Sequence, residues 1–141
     1  MINQLINDEA IPLLERSMQF AARRHELIQH NIANITTPGF QPVDVSVDKF
    51  QRMLADAVQR QRDGTDREFR LESSKEVADA AGRISLRPKV IGRGITYHDR
   101  SNKDLERAMQ DLAENMGAYR VASEILKSRY AIINAAISQR V

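Results

Sequence analysis

The side chains that could do chemistry are few and poorly grouped. The chain has three His and no Cys, which excludes thiolate nucleophiles, disulfides and Cys-based metal sites. His25 and His30 are five residues apart, not the i, i+4 spacing that puts two imidazoles on one helix face for a metal. His25 falls within a row of apolar residues and reads as a seam residue that sets register. His98, next to Asp99, reads as a solvated turn. Gly92-Arg93-Gly94 is the nearest approach to a phosphate loop. It lacks the third Gly of G-x-G-x-x-G and the Lys-Ser/Thr of a P-loop, so it reads as a flexible turn. Asp104/Glu106 and Asp111/Glu114 alternate with Arg and Lys as a solvated ion-pair ladder. Met residues in apolar rows read as core filler. No Ser-His-Asp context is present. The chain is read as a non-enzyme with no catalytic residue, cofactor or metal.

The specified stretch is instead "HNIANITTPGF", His30 to Phe40. Asn31, Ile32 and Asn34 sit near a helix end. Pro38 pushes Thr37 into an extended conformation and stops the helix. Pro38-Gly39 fits the centre of a type II turn, with Gly supplying the positive φ. Phe40 then lies where it can fold back on the helix end. On pattern alone this is a specific turn.

Periodicity supplies the elements around it. Pro12 suits a first helical turn. From there Ile11, Leu14, Met18, Ala21, His25, Ile28, Ile32 and Ile35 alternate in steps of three and four, as in a coiled-coil seam. A second stripe, Leu13, Phe20, Leu27 and Asn34, repeats every seven on another face. Residues 1–10, with Ile2, Leu5 and Ile6 as their only large apolar side chains, read as loose. Phe50, Met53, Leu54, Ala57 and Val58 predict a short amphipathic helix from about Val47 to Arg60. Residues 59–70 read as a charged solvated loop. Residues 73–82, opening on Ser and closing on Gly, read as one or two helical turns, and 83–97 as extended chain with short strand pieces. Ser101 or Asn102 caps the last helix, with Asp104 in its first turn. Its seam runs Leu105, Met109, Leu112, Met116, Tyr119, Ser123, Leu126, Tyr130, Ile133, Ile137, with Gly117 its one weak point. A second stripe there is Val121, Ile125, Ile132 and Ala135.

Such a terminal helix is roughly 55 Å long at 1.5 Å per residue, against a radius of gyration of about 14 Å for a globule of this chain length. It cannot lie inside such a globule. The expected fold is therefore mainly α: long N- and C-terminal helices in an antiparallel coiled coil, with an irregular middle of short helix, extended or β pieces and a disordered loop. The units are 1–40 (helix and turn), 41–100 (middle) and 101–141 (C-terminal helix). Leu14, Met18 and Ile28 face the C-terminal seam. Leu13, Phe20, Leu27, Val121, Ile125 and Ile132 remain exposed, as a subunit interface.

Composition agrees with an extended helical chain. Among 141 residues, 21 Lys+Arg face 19 Asp+Glu, with 42% hydrophobic residues, four Phe, three Tyr and no Trp. The pI near 9.1 comes from a small Arg excess. The charges alternate in sign, without the basic stripe of a nucleic-acid binder. No stretch reads as a Sec-type signal peptide or a membrane span, and on these signals alone the chain reads as cytoplasmic.

Two separated segments carry a resemblance. "HNIANITTPGFQPVDVSVDKF" resembles the N-terminal signature N-I-A-N-x-x-T-P-G-[YF] of flagellar rod and hook proteins. "DRSNKDLERAMQDLAENMGAYRVASEILKSRYAIINAAI" resembles their segment D-G-N-x-V-D-L-x-x-E-M with its following long helix. Asp104, Leu105 and Met109 hold, while Arg100, Lys103 and Ala108 stand where Gly, Val and Glu are usual. The short chain, without inserted β domains, looks like the proximal-rod members. The resemblance implies a structural subunit of the bacterial flagellar basal-body rod, with Asn31, Ile32, Asn34, Thr37, Pro38, Gly39 and Phe40 as an assembly turn. It implies export through the flagellar type III apparatus without a cleaved signal peptide, and a final place in the periplasmic rod. This overrides the cytoplasmic reading. The implied partners are other rod proteins, the basal-body ring adaptor and the export apparatus, with self-assembly into a helical tube, no nucleic acid and no direct membrane insertion. The competing readings are a stand-alone coiled-coil adaptor, a basic nucleic-acid-binding helical protein and the other short proximal-rod type.

Overall fold

The computed structural model describes residues 10–66, 68–91 and 101–138, with the backbone alone for 101–104. The segments expected to be loose (1–10) or to hold the Gly92-Arg93-Gly94 turn and His98 lie almost wholly outside these residues. The chain is mainly helical. Its elements are α1 (Ala10–Asn34), β1 (Val43–Asp44), α2 (Val47–Arg62), β2 (Val77–Ala80), β3 (Arg83–Leu86), β4 (Lys89–Val90) and α3 (Ser101–Ser138). The 38-residue α3 is roughly 57 Å long. Among the described residues, no helix is long and apolar enough to cross a membrane.

The middle is a small packed unit rather than an irregular connection. Ser46 caps α2 by accepting from the Lys49 N–H, and the Phe50/Ala57 face of α2 turns inward. There it meets Phe20 of α1, Val45, Leu71, Val77 and Ile84 in one buried cluster. The Phe20 and Phe50 rings stack with centroids 3.9 Å apart and planes 4° apart. The charged loop after α2 is tied down at its described residues. Arg60 binds Glu72 at 2.7 Å and donates to the Arg70 carbonyl, and Leu71 is buried.

Residues 77–80, expected to be helical, form a strand. β2 and β3 pair antiparallel, Val77 with Leu86 and Ala80 with Arg83. The two-residue turn between them, Ala81-Gly82, has φ of 49° and 85°, the sign that suits the twist of a tight hairpin. Helix propensity loses because pairing buries Val77 and Ile84 against Phe50, which an isolated helical turn would not do. β1 pairs with β4, Val43 with Val90.

Glu76 staples this unit. Its buried carboxylate accepts from Lys49 Nζ (2.6 Å), the Ser46 N–H (3.0 Å) and Lys89 Nζ (2.9 Å). The Lys49 hydrogen bond, then those from Ser46 and Lys89, outweigh burial and hold its pKa at about 2 against an ordinary 4.5.

Candidate functional site

At the end of α1 the expected turn is present. Thr37 N–H donates to the Asn34 carbonyl and Phe40 N–H to the Thr37 carbonyl, which places Pro38 and Gly39 at the turn centre. Gly39 has φ 75°, and no heavy atom lies within 4 Å of a Cβ placed there, so the glycine answers a conformational need rather than a spatial one. The Phe40 ring folds back edge-on to His30, 5.7 Å between centroids. The two asparagines differ. Asn34 Nδ2 donates to its own helix, at the His30 carbonyl. Asn31 is buried and reaches β1: its Nδ2 donates to the Val43 carbonyl (2.7 Å) and its Oδ1 accepts from the Val43 N–H (3.0 Å). Its amide does for β1 what a neighbouring strand would do. Ile32 is half-buried, and Thr37, Pro38 and Gly39 are exposed.

The same face of α1 holds the rest of the middle unit. Gln19 repeats the amide clasp, donating to the Gly82 carbonyl and accepting from the Ile84 N–H. Arg16 pairs with Asp79 at 3.0 Å. Arg24, 8% exposed, grips Asp44 with Nε (3.0 Å) and Nη2 (2.7 Å) and lies 3.9 Å from Asp111 of α3. The expectation that the Leu13, Phe20, Leu27 stripe lies open to another subunit is therefore corrected. Phe20 is in the core, Leu27 packs against it and Leu13 is half-buried, because the chain's own middle unit covers that stripe.

α3 packs on α1, and it does so on a face turned by one position from the expected seam. Leu112, Ser123, Leu126 and Ile133 are half-buried as the seam requires, as are Leu14 and Met18 on α1, where Ile28 is fully buried. Leu105, Met109, Met116, Tyr119, Tyr130 and Ile137 are instead exposed. Asn115 takes the position expected of Met116, and Ala122, next to half-buried Ser123, is fully buried. The cause is polar: Asn115 Nδ2 donates to the Ala21 carbonyl at 2.7 Å, and Arg24 draws Asp111 to the same side.

The result is a helix with apolar surface on both sides of its α1-facing line. At about 100° per residue, Leu105, Met109 and Met116 lie roughly a quarter turn to one side. Val121, Ile125 and Ile132 lie roughly a quarter turn to the other, 61%, 43% and 51% exposed. Charged and small residues (Glu106, Ala113, Gly117, Glu124) occupy the outermost line. Of the exposed large apolar residues among those described, all but Val90 and Ile91 lie on α3. Isolated exposed apolar side chains are ordinary, but contiguous rows of them mark an interaction surface. Tyr130 Oη reaches Glu15 at 3.3 Å, and that carboxylate holds the phenol above its ordinary pKa.

Gln19, Arg24, Glu76 and Asn115 escape a reading by apolar period because they are polar. Each is buried or clasps buried backbone. The available signal for three of them was a polar side chain interrupting an apolar helical face. Comparison with protein-family models, curated proteins and solved structures finds no match for this chain.

Proposed function

We propose that this chain is a structural subunit of the bacterial flagellar basal-body rod, of the proximal FlgB type. In this role it polymerises through its terminal helices and links the motor ring to the drive shaft for motility. The observation that carries the reading is the pair of exposed apolar flanks on α3. Two flanks on opposite sides of one helix fit a different neighbour on each side. Such heterologous contacts, repeated with a rotation that does not close, generate a helical tube. The resemblance of residues 31–50 and 99–137 to rod and hook proteins supplies the identity of that tube.

In this reading α1 and α3 pair as an antiparallel coiled coil. Support comes from three contacts, Glu15 with Tyr130, Ala21 with Asn115 and Arg24 with Asp111, whose numbers rise along one helix and fall along the other. The turn at Thr37–Phe40 is where the chain leaves the coil for the middle unit. The partners are other rod proteins, the ring adaptor and the type III export apparatus, and the final location is the periplasmic rod.

The test is a deletion of the gene in its own host, with basal bodies isolated and filaments and swimming scored. The expected outcome is truncated basal bodies, no filaments and no swimming, with the protein recovered in basal bodies on complementation. Normal filaments in the deletion strain overturn the reading.

A further inference from the structure

We propose that α3 has two alternative docking faces for α1 and rolls between them without changing register. The face in the structure runs through Leu112, Asn115, Ala122, Leu126 and Ile133, and on α3 only Asn115 (5% exposed) and Ala122 (6%) are fully buried along it. A second face, in unbroken steps of three and four residues, runs through Met109, Leu112, Met116, Tyr119, Ser123, Leu126, Tyr130 and Ile133. The two share Leu112, Leu126 and Ile133. Exchanging one of the two alternating positions by a single residue displaces the docking line by half of 100°. A roll of about 50° about the shared residues therefore takes one face into the other.

The exchange trades polar contacts and the burial of Ala122 for apolar burial elsewhere. The observed face keeps the Asn115 bond to the Ala21 carbonyl and the long 3.9 Å contact of Asp111 with Arg24. The rolled face gives up both. Arg24 keeps its bidentate partner Asp44, and Asn115, Asp111 and the half-buried Arg129 turn towards water, which satisfies them. In return Met109 and Met116, 54% and 38% exposed in the structure, are covered by α1. One face is favoured by polar bonds and the other by apolar burial, and in this proposal the free chain populates both. A ligand that covers the methionine flank selects the face seen here. The proposal concerns the free chain and does not depend on what it assembles into.

The experiment is methyl relaxation dispersion on the full chain, labelled at Met and Ala methyl groups. Expected are exchange contributions with one common rate, on the microsecond-to-millisecond scale, at Met109, Met116 and Ala122. Asn115→Ala, which removes the bond that holds the observed face, raises the second population several-fold and moves the Met116 shift with it. Met116→Lys, at a site exposed in the observed face, abolishes the exchange at Ala122. Flat dispersion at all three methyls with an unmoved Met116 shift in Asn115→Ala overturns the proposal. So does exchange at Ala122 that persists in Met116→Lys, since that motion would be local.

Discussion

Asn31 and Val43 are joined through both polar groups of each, the side-chain amide of one against the backbone amide of the other, at 2.7 and 3.0 Å. The contact ties the last turns of α1 to the first strand of the middle unit, across the turn at Pro38-Gly39. Asn31→Ala removes both bonds and leaves the part-buried Val43 groups without them, a loss of about 2 kcal/mol. Asn34→Ala, which removes only a bond to its own helix, costs less than about 0.5 kcal/mol. Urea unfolding midpoints of the two variants distinguish them. Equal effects would mean that the clasp does not hold the junction.

Buried Arg24 and half-buried Asp44 form an ion pair at the centre of the same face. Asp44→Ala leaves a guanidinium with only the distant Asp111 for company and is expected to cost about 3 kcal/mol. The double replacement Arg24→Met, Asp44→Ala is expected to recover part of that loss, giving a coupling of about 1–3 kcal/mol in a double-mutant cycle. Additive losses would contradict the pairing.

The helices were legible in the sequence because their apolar residues repeat on a helical period over many turns, and α2 begins at the expected Val47. The hairpin at 77–86 was not. "SSKEVADAAG" carries three Ala with Lys and Glu, all good helix formers, and its turn is Ala-Gly rather than Asn-Gly. Only the tertiary burial of Val77 and Ile84 selects the strand. The α3 seam was legible to within one residue. Leu112, Leu126 and Ile133 belong to two overlapping heptads, and apolar count favours the one containing Met116 over the one containing Asn115. The bond from Asn115 to the Ala21 carbonyl decides otherwise, and it depends on a partner 94 positions away. The seven-residue spacing of Leu13, Phe20 and Leu27 marks a second apolar face, and its cover is decided by residues far away in sequence, in the core of the middle unit.

Glu76 gives a pH signature. Its pKa is lowered from 4.5 to about 2, so its contribution to stability is complete above pH 4.5 and is lost as the pH falls through about 2. The wild type is expected to lose stability across that window more steeply than Glu76→Gln. The difference between the two should be largest near neutral pH and should shrink below pH 4. Parallel curves in acid denaturation would show that Glu76 does not staple the unit.

Three turn positions separate backbone conformation from contact. At Gly82 a Cβ would lie 2.9 Å from Arg16 Nη2 on a backbone of φ 85°, so Gly82→Ala is expected to destabilise by about 1–2 kcal/mol. Ala81, at φ 49°, is the reverse case: Ala81→Asn gives an Asn-Gly turn and is expected to stabilise by about 0.5–1 kcal/mol. Gly39→Val meets no neighbour but opposes φ 75°. For the proposed rod subunit, it is expected to yield soluble, exported protein that fails to incorporate into the rod. Thermal midpoints check the first two and basal-body fractions the third. A stable, normally incorporated Gly39→Val would show that the turn is not an assembly determinant.

In the proposed rod subunit the flanks of α3, and not the covered stripe of α1, carry assembly. The most direct measurement is complementation of a deletion strain with the Val121→Lys, Ile132→Lys variant, quantifying the protein in purified basal bodies beside its unfolding midpoint in solution. An unfolding free energy within about 0.5 kcal/mol of wild type is expected, since both residues are exposed, together with absence from basal bodies and no swimming. A variant that folds normally and enters basal bodies at the wild-type level would contradict it.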